Sequence, residues 1–187
     1  MNKNNTTKNK IKIKNKGTGA GGNNTNKNGL SYEVMTDLKT DFTIIKEHKD
    51  YTIIKFSNYN TEFTRLIKKQ LFKHKGNKDS KIKKAHGCKE PDECYIDENK
   101  KNIFILEKKF QQCGGSVCEK LQTTDFKLAH YKKHFPEYNI VYIFCLSKWF
   151  KENCQAELEY LHEKKIPVFW GYRKNYKKQI IKYLNTY

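Results

Sequence analysis

The sequence predicts an α/β fold in which a mixed central sheet of four to five strands is flanked by helices within a single domain. Three observations lead there. Short β-branched and aromatic runs alternate with longer stretches of helical periodicity, the pattern of a sheet interleaved with helices. The run Ile103-Phe-Ile-Leu106 is apolar on both faces, as expected for a strand covered from both sides. Finally, 187 residues with 36% hydrophobic content suffice for one core but not for two.

Taken in order, Met1 to Lys16 is Asn, Lys and Thr with two isoleucines, too little apolar surface to offset chain entropy. This stretch is expected to be a disordered basic arm, with residues 17–187 forming the folded domain. Gly17 to Gly22 and Asn23 to Asn28 read as a flexible Gly/Asn loop. It lacks the preceding strand and the Gly-Lys-Ser/Thr ending of a nucleotide-binding loop. Leu30, Val34 and Leu38 recur at helical spacing and predict a first helix that carries Glu33. Tyr51 to Phe56 reads as a strand, and Phe63, Leu66, Ile67 and Leu71 as a helix. Lys73 to Lys84 is a charged loop. A short strand around Tyr95-Ile96 and a polar turn from Asp97 to Lys101 lead into Ile103 to Leu106, which runs on through Glu107-Lys108-Lys109. Val117 to Phe135 is a long helical stretch, Ile140 to Cys145 a buried strand, Trp149 to His162 a helix, Ile166 to Trp170 a strand and Tyr176 to Leu184 a closing helix.

The formal charge of +18 favours a polyanionic partner, although almost all the cations are lysines and the only arginines are Arg65 and Arg173. No apolar run reaches the roughly 18 to 20 residues needed to cross a bilayer, and no apolar segment follows the basic N-terminus as in a signal peptide. No membrane partner is therefore expected, and the location is expected to be intracellular. In a reducing compartment the six cysteines are expected to be free thiols, small core residues or metal ligands.

The chemistry concentrates at the end of the central strand. Side chains alternate along a strand, so Glu107 and Lys109 leave one face while Lys108 points to the other. A hairpin through Asn99 would return Asp92 to the same strand end. Two carboxylates at one locus repel unless a proton or cation lies between them, and a hard divalent ion with oxygen ligands is the usual resolution. Such a site suits phosphodiester hydrolysis, in which a metal lowers the pKa of its bound water and a lysine orients the attack or accepts a proton. Glu33 is a candidate third carboxylate.

Pro91-Asp92, the intervening hairpin and Ile103-Phe-Ile-Leu-Glu107-Lys-Lys109 resemble the motif of the PD-(D/E)XK nuclease superfamily, which includes type II restriction endonucleases. Asn28-Gly-Leu-Ser-Tyr-Glu33 resembles the N-terminal helix motif of many of these enzymes, and Gly115-Ser-Val-Cys-Glu-Lys-Leu-Gln122 the segment that opens the helix after the catalytic strand. The resemblance implies a Mg²⁺-dependent DNA endonuclease with Asp92 and Glu107 as metal ligands, Lys109 as catalytic lysine and Glu33 as auxiliary carboxylate. It also implies a possible homodimer and action in the cytoplasm of a prokaryotic or virus-infected host cell. A structure-specific nuclease of the same fold is the neighbouring alternative. From another class comes a zinc-binding nucleic-acid module, since Cys113, Cys118, His130 and His134 are spaced C-x4-C-x11-H-x3-H.

Overall fold

A computed structural model describes residues 23–82, 84, 87, 90–112 and 117–187. The basic arm, Cys88 and Cys113 lie outside them. The chain is α/β, with a seven-stranded mixed sheet whose spatial order follows the chain order from β1 to β7. The strands are β1 (Phe42–Glu47), β2 (Thr52–Phe56), β3 (Glu62–Ile67), β4 (Glu93–Asp97), β5 (Asn102–Lys109), β6 (Asn139–Leu146) and β7 (Val168–Trp170). The first five form an antiparallel meander, and β5, β6 and β7 run parallel. The parallel steps need crossovers, and helices supply them: α3 (Glu119–Gln122) and α4 (Thr124–His134) before β6, α5 (Lys148–Asn153) and α6 (Gln155–Glu163) before β7.

The sheet is buried on both faces. On one side Ile103, Ile105, Tyr142 and Phe144 pack with Leu121, Tyr131, Phe150 and Leu161 of those crossover helices, and with Leu71 and Phe72 of α2 (Gln70–Lys78). On the other, Phe104, Leu106, Val141 and Ile143 pack with Ile180, Ile181 and Leu184 of α7 (Tyr176–Thr186). Helix α1 (Asn23–Met35) lies on this second side, where the Tyr32 ring meets Phe110.

The sheet has seven strands rather than four to five, and the difference has a physical origin. The segment Glu62–Ile67 is a strand, not the start of a helix. Phe63 faces the α7 side while Leu66 faces the α2 side, so burial on both faces places apolar residues three apart and imitates helical spacing. Strand β1 is an edge strand whose last five residues are exposed, so no alternation marks it. In α1 the apolar residues at helical spacing do not form the buried face. Val34 is 71% exposed and Leu30 55%, whereas Tyr32 is 5% exposed and packs inward. The charged segment after Lys73 begins helically, because His74 packs edge-on against Tyr51 and the Lys75 ammonium meets Tyr138 and Glu98. The two long helical stretches each break once, at Thr123 and at Cys154.

Of the cysteines, Cys94 and Cys145 are free and buried, as small core residues. Cys118 and Cys154 depart from the expectation of free thiols: their Cα atoms are 5.6 Å apart and their sulfurs form a disulfide that ties the start of α3 to the junction of α5 and α6. No helix among the described residues is long and apolar enough to cross a membrane.

Candidate active site

The hairpin of β4 and β5 builds the site. Asp97 pairs with Asn102, and its carboxylate accepts from the backbone N–H groups of Asn99 and Lys100, closing the turn. Register then fixes the far end, where Glu93 lies opposite Leu106, so Asp92 arrives beside Glu107. The Asp92 carboxylate is anchored there by the Lys108 backbone N–H at 2.7 Å. Lys109 reaches back along its own strand face, placing its ammonium 2.6 Å from Glu107 Oε1 and 3.6 Å from Asp92 Oδ2. Two carboxylates thus bracket a single nitrogen at the carboxyl end of the first parallel strand, where open α/β sheets place their ligands.

Burial sets the protonation of this group. Desolvation pushes the Asp92 carboxyl up to about 6, with the Lys109 ammonium opposing and the Glu107 charge assisting. Burial also acts to raise Glu107, but the ammonium groups of Lys109 and Lys127 outweigh it and hold that carboxyl below its usual range. Lys109 is itself desolvated, yet Glu107 and Asp92 keep its pKa above that of a free lysine. Of the two carboxylates, Asp92 is the one short of positive charge.

Lys127 was not singled out by sequence. It stands on α4 and donates to Glu107 Oε1 at 2.9 Å and to the Tyr142 hydroxyl at 3.2 Å. Its sequence signal is absent because it is one lysine among many; only the helix crossing over β5 selects it. If the site cuts phosphodiester bonds, as proposed below, Lys127→Met should slow cleavage roughly 10- to 100-fold, the range for residues that orient a ligand without being one. Single-turnover cleavage assays check this. An unchanged rate would limit Lys127 to packing.

Glu33 is not brought into the same contact. Its carboxylate lies 3.7 Å from Lys68 Nζ, while its backbone carbonyl accepts from the Lys108 ammonium at 3.1 Å. It borders a cleft of about 360 Å³ on the α1 side of the sheet, shared with Asp92, Asp37, Arg65, Glu93 and Lys108. Beneath that cleft lies a second charge cluster. Glu93 accepts from Arg65 at 2.5 Å and pairs with the Lys108 ammonium at 3.0 Å, and Arg65 also donates to Asp37 at 2.9 Å.

The zinc-module set does not assemble among the described residues. Cys118 is joined to Cys154, while the rings of His130 and His134, one helical turn apart, meet at a tilt of 57° and His134 lies edge-on to Phe72. Among the described residues, one trio of possible ligand atoms lies within 4.8 Å of one another: Cys118, Cys154 and Glu157. No protein-family model, no curated protein and no solved structure matches the chain.

Proposed function

We propose that this fold and site belong to a metal-dependent phosphodiesterase acting on nucleic acid. More particularly, the protein is a Mg²⁺-dependent DNA endonuclease of the PD-(D/E)XK type, resembling the type II restriction enzymes. The observation that carries the reading is the convergence of Asp92 and Glu107 on the Lys109 ammonium at the end of β5. Strands β3 to β7, with helices on both faces, supply a five-stranded mixed sheet of the kind the resemblance implies, and β1 and β2 extend it at one edge.

The donor set fits the metal. Both groups offer hard carboxylate oxygens, and Asp92 has a pKa raised by desolvation that a nearby divalent cation would lower. Bound there, Mg²⁺ would supply Lewis acidity and a more acidic water. The chain's own residues do the rest. Asp92 and Glu107 would hold the ion. Lys109, drawn away from its carboxylates, is placed to orient the attacking water and to offset the negative charge growing on the phosphate. Lys127 retains Glu107 in position through its bond from α4.

The test is cleavage of plasmid DNA across pH, with Mg²⁺ or with EDTA, by wild type and Asp92→Asn. Metal binding needs ionised Asp92, so the wild-type rate should fall about tenfold per pH unit below pH 6 and vanish in EDTA. For stability the sign is opposite. A carboxyl raised in the folded state favours folding below its ordinary pKa, and that contribution is lost as pH rises through about 6. Without metal at pH 8, Asp92→Asn should therefore be more stable than wild type by roughly 1 to 3 kcal/mol, while its cleavage is lost. Cleavage that persists in EDTA or in Asp92→Asn would sink the assignment.

A further inference from the structure

The parallel strands carry the level of the cutting site across the sheet. Lys109 is in register with Leu146, and Leu146 with Trp170. Parallel neighbours in register point to the same face, and Trp170 packs against the apolar cluster on the face that carries Glu107 and Lys109. At about 4.8 Å per strand, Trp170 lies about 10 Å from Lys109 along the sheet. That distance is covered by two or three nucleotides at a rise of about 3.4 Å each.

The turn that follows is held in place and presents a ring and cations outward. Gly171 is required there, because a Cβ would collide with the Tyr32 hydroxyl and lie 2.9 Å from its Cζ. The Gly171 N–H donates to Leu146, and the Arg173 N–H donates back to Trp170. Tyr172, 41% exposed, is thereby set beside Trp170, with ring centroids 6.1 Å apart. Two clefts of about 460 and 410 Å³ meet at Trp170 along the open edge of β7. Their described lining includes Lys165, Arg173, Lys182 and His162 together with aromatic rings, and no Asp or Glu. The cleft on the α1 side, by contrast, is lined by five acidic residues, among them Glu33, Asp37 and Asp92. The lining of these two clefts is thus cationic and aromatic without a carboxylate, while the ion pair close to Tyr172 is Lys148 with Glu152 at 3.0 Å.

We infer that the β7 edge and its following turn form a stacking subsite for unpaired nucleotides, with Tyr172 and Trp170 as the base platform and Arg173 on the backbone phosphate. This inference rests on the nuclease reading for its substrate and deepens it: the preferred DNA carries a single-stranded segment beside the bond to be cut. Rings accept any base by its π-face, and cations without competing carboxylates track the phosphates.

The experiment uses the full chain in EDTA, so that binding is read without cutting. The probes are an oligonucleotide containing a fluorescent adenine analogue, as a single strand and as its duplex. Wild type should quench the analogue in the single strand more than in the duplex. Tyr172→Ala should weaken single-strand binding about tenfold to a hundredfold, and Tyr172→Phe should restore it, because the ring and not the hydroxyl does the work. Arg173→Ala should lower the slope of log K against log salt by about 0.7. Unchanged single-strand binding in Tyr172→Ala, or equal losses on single strand and duplex, would overturn the inference. Separate failures stay distinguishable: Mg²⁺-dependent cutting with no effect of Tyr172→Ala defeats only the subsite, and stacking without any cutting defeats the nuclease.

Discussion

Glu93→Ala is expected to be among the most damaging substitutions for stability in this chain, lowering it by about 3 to 5 kcal/mol and the melting temperature by roughly 10 °C. Glu93 is 3% exposed and serves two cations, Arg65 at 2.5 Å and Lys108 at 3.0 Å. Removing it leaves the Lys108 ammonium, whose side chain is 2% exposed, with the Glu33 carbonyl as its one remaining hydrogen-bond acceptor among the described residues. A buried charge without its counter-ion costs far more than the pair contributes, which is why loss of one partner is severe. The companion experiment is the double variant Glu93→Met, Lys108→Met, which removes both charges and keeps the volume. Chemical denaturation should show it recovering most of the lost stability, leaving Arg65 to Asp37. If the double variant is as unstable as the single, the cost lies in packing and the electrostatic account fails.

The largest effects on activity should come from Glu107 and Lys109, and the two should part company in stability. On the proposed function, Glu107→Gln and Lys109→Met should each reduce Mg²⁺-dependent cleavage by about 10³-fold or more, since one would remove a metal ligand and the other the group that would orient the attack. Glu107→Gln also deprives both Lys109 and Lys127 of their nearest anion. It should lose roughly 3 kcal/mol in the absence of metal. Lys109→Met does something different. Its ammonium is what opposes the burial-driven rise of Asp92, so without it Asp92 holds its proton to higher pH. The neutral carboxyl tolerates burial, so the variant should fold, and it no longer sets an ammonium against Mg²⁺ between the two carboxylates. Thermal melts with and without Mg²⁺ separate the two: the metal should stabilise wild type and Lys109→Met, and shift Glu107→Gln much less. Equal metal shifts in wild type and in both variants would place the ion elsewhere.

Legibility in the sequence differed from strand to strand. Strand β5 was legible because four large apolar residues run straight into charge, a break that few surface segments show. Its partner β4 was legible from the turn chemistry of Asp97 to Lys101, and the hairpin between them brought Asp92 to Glu107. Strand β3 was not, since a strand packed on both faces loses its alternation and Phe63 and Leu66 then counterfeit a helix. The inward face of α1 was not legible, because Leu30 and Val34 outrank Tyr32 in hydrophobicity, while a tyrosine can bury its ring and still bring its hydroxyl to a neighbour, here Cys145. Lys127 was invisible for a statistical reason: in a lysine-rich chain its identity carries almost no information, and only the third dimension distinguishes it. Tyr172 and Arg173 stood out in sequence no more than any aromatic and basic pair, and gained meaning from the register that sets Trp170 level with Lys109.

The strict agreement between strand order and chain order has a bearing on how the molecule assembles. Each strand docks beside the one just completed, so no strand must be threaded between two others already paired. The central hairpin of β4 and β5 closes across a short turn, a local event of the microsecond class, whereas the parallel additions of β6 and β7 wait on longer crossovers. Asp92, Glu107 and Lys109 all sit on that hairpin. The three groups should therefore be near one another as soon as that hairpin closes, before β7 and its aromatic turn have joined the sheet, which makes the β7 edge the last part of the molecule to mature.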